Sequence, residues 1–294
     1  MAVFNLEFFS KSLACVTQVT VLMPSLTMED HPADFYSSGK KYPVLWLLHG
    51  SNSNQNDWMK YTNIVPYAES RDLIVVMPNV LNSDYTNYLT FADSFNVWDY
   101  IPNELMPMIY NWLPASSRRE DNFIAGMSMG GNGALMYAVG HPELFGAAAV
   151  LSSTAREIEY LRPLASLTAE EFRKAAQDPI LCPGPNGTGM RTKEVNQVAK
   201  YRTVQEFLDS YENIWDRLPE AVAKGNLPRL YFCCGTRDKN VYPRYVRFKE
   251  YMDNLGAEAT WQEFEGYRHE YPLWDIAIQK ALDFFGLPFI GYKH

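Results

Sequence analysis

The sequence predicts an α/β fold, in which helices cover both faces of a mostly parallel central sheet. Two observations lead to this prediction. Six short apolar segments recur along the chain, and stretches with helical character separate them. These segments are apolar at consecutive positions rather than at alternate ones, which is typical of strands buried on both faces.

The composition is that of a folded globular protein. The chain has 294 residues, of which 47% are apolar and 20% are charged, and this excludes a disordered or fibrous protein. A formal net charge of −8 and the lack of a basic stripe argue against binding to nucleic acid. The apolar runs are too short to span a bilayer, and no lysine-rich amphipathic segment would hold a membrane surface. We therefore expect the protein to bind neither nucleic acid nor a membrane, and the sequence leaves open whether it forms a homo-oligomer.

The cysteines and the N-terminus indicate a cytoplasmic protein. The four cysteines include no C-x-x-C pair, so they do not indicate a metal site. The first residues lack the positive patch and long apolar core of a signal peptide. In a reducing cytoplasm we expect the cysteines to remain free thiols.

Strands and helices can be placed in order along the chain. Two strands are expected near residues 6–10 and 16–23, followed by a polar loop over 24–41. The six apolar strands are expected at residues 44–48, 73–78, 122–125, 147–151, 229–233 and 259–264. The clearest helices between them are expected at residues 98–112, 131–140, 241–255 and 273–285.

One connection is much longer than the others. Nearly eighty residues separate the fourth and fifth apolar strands, which exceeds an ordinary crossover. The stretch contains helix-start patterns at Thr168 and Thr203, each with a Glu three positions later, and a Pro/Gly-rich loop at 183–189. We interpret residues 155–226, approximately, as a helical cap or lid inserted within a single domain that spans residues 1–294. The alternative is a peripheral addition far from any site.

The motif Gly126-Met127-Ser128-Met129-Gly130 carries the chemical hypothesis. It matches G-x-S-x-G and lies between a buried strand and a helix rich in small residues. A sharp strand-to-helix turn of this kind exposes a nucleophilic serine above a sheet, and glycines flank it where side chains would clash. The helix start behind the serine also directs amide groups towards developing negative charge. The sequence therefore predicts that Ser128 is a nucleophile.

A serine hydroxyl needs a base and an orienting acid. Of the five histidines, His269 is the one in a loop after the last strand, whereas His49 and His141 end a strand and a helix and are expected to be structural. Asp238 follows the fifth apolar strand and lies between Ser128 and His269 in the chain. The order Ser128, Asp238, His269 is the order in which such triads occur on this architecture.

An oxyanion hole requires two backbone donors. The amide of Met129, directly after the serine, is the first candidate. The second is expected in the loop that follows the strand at 44–48, where Ser51 is favoured and Asn52 remains the alternative. Two aromatic residues near helix starts, Trp58 and Trp98, are candidates for lining the substrate pocket.

Taken together, these motifs resemble a known family. They are Leu47-Leu48-His49-Gly50, Trp58, Asn103-Glu104-Leu105, Gly126-Met127-Ser128-Met129-Gly130-Gly131, His141-Pro142-Glu143-Leu144-Phe145, Cys234-Gly235-Thr236-Arg237-Asp238 and His269-Glu270. Over nearly its whole length the chain resembles the esterase D-like α/β-hydrolases, and especially the tributyrin esterases of lactic and gut bacteria. S-formylglutathione hydrolases, feruloyl and acetyl carbohydrate esterases and mycolyltransferases are wider relatives.

This resemblance implies an α/β-hydrolase fold and a cytoplasmic serine carboxylesterase without a metal or organic cofactor. It implies the triad Ser128, Asp238 and His269, with the amides of Met129 and Ser51 as oxyanion donors. The expected substrates are small-molecule acetyl to butyryl esters of the tributyrin type, with feruloyl-type esters as an alternative. Three other functions remain open: an S-formylglutathione hydrolase-like thioesterase, an acyltransferase, and a non-catalytic binding protein.

Overall fold

The central element is an eight-stranded sheet. The computed structural model describes residues 1–89, 94–184 and 189–291, and these form that sheet and a separate two-stranded ribbon. The strands are β1 (Ala2–Ser10), β2 (Cys15–Met23), β3 (Val44–Leu48), β4 (Ile74–Pro78), β5 (Asn87–Tyr88), β6 (Phe95–Asn96), β7 (Asn122–Met127), β8 (Ala147–Leu151), β9 (Arg229–Gly235) and β10 (Thr260–Phe264). The ribbon consists of β5 and β6.

The strand order is β1-β2-β4-β3-β7-β8-β9-β10. The last six strands of this order pair in parallel, whereas β2 pairs antiparallel with both β1 and β4. The mostly parallel sheet and the six apolar strands are confirmed, with ends within two residues of the prediction. The first strand begins at Ala2 rather than near residue 6, because Ala2 continues the pairing with β2 as far as Met23.

Helices occupy the connections between the strands. In chain order they are α1 (Pro32–Ser37), α2 (Asp57–Tyr61), α3 (Ile64–Glu69), α4 (Val97–Tyr100), α5 (Met106–Trp112), α6 (Met129–Gly140), α7 (Ala169–Ala175), α8 (Thr192–Val198), α9 (Val204–Leu208), α10 (Ile214–Lys224), α11 (Tyr242–Leu255) and α12 (Tyr271–Phe284). A π-helical turn over Ile101–Leu105 joins α4 to α5. The short helix α1 interrupts the predicted polar loop and has no buried residue.

A hydrophobic core lies on each face of the sheet. Along β3 the side chains alternate, so that Val44 and Trp46 join one buried cluster while Leu45 and Leu47 join the other. The alternation explains why this strand is apolar at every position. The helix α6, directly after the serine motif, is almost entirely buried.

The long connection between β8 and β9 forms a largely helical inserted segment, residues 152–228. It contains a 3₁₀ turn over Glu159–Leu164 and the helices α7 to α10, and a third hydrophobic cluster lies within it. Thr168 caps α7, since its side chain accepts a hydrogen bond from the amide of Glu171 and the Glu171 carboxylate accepts one from the amide of Thr168. Residues 185–188 of the Pro/Gly-rich loop lie outside the described residues.

None of the helices within the described ranges is both long enough and apolar enough to cross a bilayer.

Candidate active site

Ser128 lies at a sharp turn between β7 and α6. Its φ and ψ are 54° and −117°, a backbone conformation that is unfavourable for a residue with a side chain. Two hydrogen bonds hold the turn: the Ser128 amide donates to the Leu151 carbonyl at 2.9 Å, and its carbonyl accepts from the Asn132 amide at 3.1 Å. Hydrogen bonds to the neighbouring strand and to the first turn of the helix therefore hold Ser128 in this strained conformation.

The flanking glycines are required by close backbone approach. A Cβ atom on Gly126 would lie 2.3 Å from the Gly130 carbonyl oxygen. A Cβ atom on Gly130 would lie 2.5 Å from the Leu48 carbonyl oxygen. Both distances are shorter than any tolerable contact, so the turn can form only with glycine at these two positions.

His269 and Asp238 form a short hydrogen bond, with 2.6 Å between His269 Nδ1 and Asp238 Oδ2. Asp238 is buried and also accepts hydrogen bonds from the amides of Val241 and Asn240, at 3.0 and 3.2 Å. Burial by itself would raise the pKa of Asp238, but the hydrogen bonds and the charge of His269 outweigh it and lower that pKa. An ionised Asp238 can only accept, so Nδ1 carries the proton and Nε2 is left as the basic nitrogen.

A tryptophan supports the imidazole from α12. The ring of Trp274 meets that of His269 edge to face, with 5.1 Å between centroids. Its Nε1 donates to Ser152 Oγ at 3.0 Å, and Ser152 follows β8 with a φ of 46°. The sequence analysis did not identify Trp274. The only signal in the sequence is its position five residues after His269.

Ser128 and His269 line one cavity of about 900 Å³. Ser51 and Met129 line the same cavity, together with Asn240 from the loop after Asp238. The predicted nucleophile, base and oxyanion residues therefore converge on one space large enough for a small-molecule ester.

The loop after β3 brings Ser51 to the cavity that Ser128 lines. His49 Nδ1 hydrogen-bonds the Gly50 carbonyl at 2.8 Å, and its Nε2 accepts from the Val80 amide at 3.2 Å. Burial lowers the pKa of His49, so the ring remains neutral and fixes the loop. This arrangement fits the structural role expected for that histidine.

Of the two candidate oxyanion donors in this loop, one is already engaged. The Asn52 amide donates to Asn82 Oδ1 at 2.6 Å, whereas within the described residues no protein acceptor is found for the Ser51 amide. The amide of Met129 is the first of α6, so it too lacks a helical partner. The geometry therefore favours Ser51 over Asn52.

Lys193 reaches this region from α8 of the inserted segment. Its Nζ lies 2.8 Å from Asp84 Oδ1, 2.9 Å from Ser51 Oγ and 3.3 Å from Met129 Sδ. A positive charge thus lies against both residues whose amides are candidate oxyanion donors. Nothing in the sequence pattern singled out this lysine.

The structure corrects the assignment of the two tryptophans to the substrate pocket. Trp58 is fully buried and its Nε1 donates to the Leu48 carbonyl at 3.1 Å. It therefore packs in the hydrophobic core on one face of the sheet rather than in the cavity. Trp98 is stacked between Tyr137 and Tyr211, with ring centroids 4.6 and 4.3 Å away. Neither tryptophan lines the cavity.

Within residues 1–89, 94–184 and 189–291, His, Cys, Asp and Glu do not form a group of three that could hold a metal ion. The four cysteines are free, and Cys233 and Cys234 are buried in β9.

A protein-family model described as "Putative esterase" matches residues 10–285. The chain belongs to this esterase family. The family and the α/β-hydrolase fold predicted from the motifs are thereby confirmed, and the protein is a carboxylic ester hydrolase of the serine type.

Individual relatives of this esterase cover nearly its whole length. An acetyl esterase from Caldicellulosiruptor saccharolyticus is 25% identical over 288 residues, which are 96% of this chain and 97% of the relative. The substrate-bound fluorophosphonate-binding serine hydrolase F of Staphylococcus aureus is 25% identical with a TM-score of 0.73, covering 97% of this chain and 98% of that one. An S-formylglutathione hydrolase of the same organism gives 26% identity, a TM-score of 0.73 and the same coverage.

Proposed function

We propose that Ser128, His269 and Asp238 form the catalytic triad of this esterase. The observation that carries the proposal is the 2.6 Å hydrogen bond between Asp238 and His269, in a cavity that His269 shares with Ser128. The strained backbone at Ser128 is a second support, since such strain persists only where the surrounding structure enforces it.

In the proposed reaction, His269 Nε2 takes the proton from the hydroxyl of Ser128 as the oxygen attacks the ester carbonyl carbon. The amides of Met129 and Ser51 bind the resulting oxyanion, each worth about 3–4 kcal/mol of barrier in serine enzymes. The carbon–oxygen bond to the alcohol then breaks, and the alcohol leaves with the proton from His269. Water, activated by the same histidine, hydrolyses the acyl-serine and restores the enzyme.

We propose short acyl groups, acetyl to butyryl, on a polar alcohol as the substrate class. The cavity lining includes the polar side chains of Asn82, Asn132, Ser153 and Thr154, which suit a hydroxyl-bearing alcohol better than a long hydrocarbon. The curated acetyl esterase relative supports the short acyl group. Tributyrin and feruloyl esters remain members of the panel to be tested.

We propose further that the inserted segment acts as a cap. Tyr160 and the stretch from Arg191 to Lys193 line the cavity although they belong to this segment, which therefore forms part of the site's wall. This lining supports a cap rather than a peripheral addition. A cytoplasmic location remains a prediction from the sequence.

The triad is tested with a fluorophosphonate probe and peptide mapping. Ser128 should be labelled in the wild type, and labelling should be lost in Ser128→Ala. Ser153→Ala is the matched control, because Ser153 lines the same cavity, and it should still be labelled. Labelling at another residue, or no labelling of folded protein, would contradict the proposal.

The substrate class is tested with 4-nitrophenyl acetate, butyrate and octanoate, together with tributyrin and methyl ferulate. We expect the largest kcat/KM at two to four acyl carbons. A maximum at octanoate would reject the short-acyl assignment while leaving the triad intact.

A thioesterase function is the second candidate, because an S-formylglutathione hydrolase is among the similar structures. The same triad would cleave a thioester by the same steps, with a thiol as the leaving group. Comparing kcat/KM for S-formylglutathione and for 4-nitrophenyl acetate decides between them.

A further inference from the structure

The cavity that contains Ser128 and His269 is lined by four cationic side chains, Arg156, Arg191, Lys193 and Arg244. A neutral ester develops a single negative charge during hydrolysis, and the oxyanion hole accounts for it. A cation that has no carboxylate partner in the protein would be available to bind an anionic group of the substrate. We therefore ask which of the four is paired.

Three of the four cations are paired. Asp84 Oδ1 lies 2.8 Å from Lys193 Nζ, and Asp84 Oδ2 lies 3.4 Å from Arg156 Nη2. These two cations lower the pKa of Asp84 although burial would raise it, so the carboxylate is ionised and both cations pair with it. Arg191 Nη2 lies 2.6 Å from Glu194 Oε1.

Arg244 is the exception. Its Nε donates to the Asn240 carbonyl at 2.8 Å, but among the described residues no carboxylate lies within 4.0 Å of its guanidinium and no acceptor is found for its two Nη groups. The nearby Glu157 is engaged instead by Arg247, at 2.8 Å.

Burial is the largest influence on the half-buried guanidinium of Arg244, and it lowers its pKa even though Glu157 and Glu194 raise it. The group remains charged, because a guanidinium keeps its proton in proteins even where burial lowers its pKa. A partly desolvated cation without a partner costs free energy, which a bound anion would recover. The planar fork of a guanidinium matches the two oxygens of a carboxylate.

The position of Arg244 places it near the leaving-group part of the substrate. It lies on α11, which begins shortly after Asp238, and it lines the cavity together with Asn240, Val241 and His269. Its hydrogen bond to Asn240 ties it to the loop that carries Asp238, the partner of His269. In the proposed reaction His269 gives its proton to the leaving oxygen, so we place the leaving group on this side of the cavity.

We propose that Arg244 binds a carboxylate on the leaving-group part of the substrate. The proposal rests on the proposed function for the direction of the leaving group. It makes this esterase selective for esters of carboxylate-bearing alcohols or thiols over neutral esters of the same size.

The test compares 4-acetoxybenzoate with its methyl ester, which differ in a leaving-group carboxylate. The ratio of their kcat/KM values should fall about tenfold or more in Arg244→Gln relative to wild type, because an ionic hydrogen bond is lost. Comparing ratios between variants removes the intrinsic reactivity of each ester. Arg244→Lys should retain part of the ratio, and Arg217→Gln, an exposed arginine on α10, should leave it unchanged.

A second pair carries the charge on the acyl side: 4-nitrophenyl hydrogen glutarate and 4-nitrophenyl pentanoate. Their ratio should change less than threefold in Arg244→Gln. A larger change here than in the first pair would overturn the leaving-group assignment. A first-pair ratio that survives Arg244→Gln, or falls equally in Arg217→Gln, would overturn the role of Arg244.

A binding measurement separates this proposal from the proposed function. Ser128→Ala should bind 4-acetoxybenzoate more tightly than the methyl ester by calorimetry, and the added Arg244→Gln change should abolish the difference. If no ester is hydrolysed by wild type, the proposed function fails, and this measurement alone decides on Arg244. Equal affinities for the two esters in Ser128→Ala would reject it.

Discussion

Lys193 Nζ lies 2.9 Å from Ser51 Oγ, although the two residues are 142 positions apart in the chain. One residue belongs to α8 of the inserted segment and the other to the loop after β3. The contact joins the segment to a proposed oxyanion donor, and the same ammonium group neutralises the buried carboxylate of Asp84.

Lys193→Met should lower kcat/KM for 4-nitrophenyl acetate about tenfold, mainly through kcat. The variant removes a hydrogen bond to Ser51 and a positive charge beside the oxyanion, while keeping a similar side-chain volume. Steady-state kinetics with a thermal unfolding curve would check this. Lys280→Met, at an exposed position of α12, is the control; equal kinetics in the two variants would contradict the role of Lys193.

Asp238→Asn should reduce kcat about 10³- to 10⁴-fold, since an amide favours the wrong tautomer of His269. The lowered pKa of Asp238 also makes the ionised carboxylate stabilising above its unfolded value of about 3.9, and this stabilisation is lost as the pH falls through the folded value. The excess free energy of unfolding of the wild type over the variant should therefore decrease as the pH falls below about 4. Urea titrations at pH 3 to 7 would reveal any other dependence.

Gly130→Ala should destabilise the fold by about 3 kcal/mol or more, because the new methyl group would lie 2.5 Å from the Leu48 carbonyl oxygen. Gly50→Ala is a matched control in the adjoining loop. There the closest atoms would be 3.6 Å away, an ordinary contact, so its stability should remain near that of wild type. Denaturant midpoints of the two variants would rank them, and similar midpoints would refute the clash.

The free energy of unfolding should decrease as the pH falls below about 6.5, the ordinary pKa of histidine. Burial lowers the pKa of His49 in the folded state, so the unfolded chain takes up a proton that the folded chain does not. His49→Gln should flatten this part of the pH profile. The exposed His31 offers a control, and a profile equally flat in His31→Gln would count against this explanation.

The sheet and the residues of the proposed triad could be identified in the sequence because their signals are local or follow a fixed order along the chain. Strands buried on both faces are apolar at every position, and the glycines around Ser128 follow from contacts within a single turn. The order of Ser128, Asp238 and His269 along the chain then left few alternatives.

The substrate cavity was not predictable in the same way. Trp58 and Trp98 lie near helix starts, but only the packing of several elements decides whether an aromatic ring faces a cavity or the core. The roles proposed for Lys193 and Arg244 depend on contacts between distant parts of the chain, and no spacing in the sequence encodes such contacts.

The inserted segment has a hydrophobic cluster of its own, which includes Phe172 and Phe207, while it supplies charged residues to the cavity wall. The buried residues of that cluster are not among those that line the cavity. Substitutions on the cavity side of the inserted segment can therefore alter which alcohols fit while the packing that holds the segment together is retained.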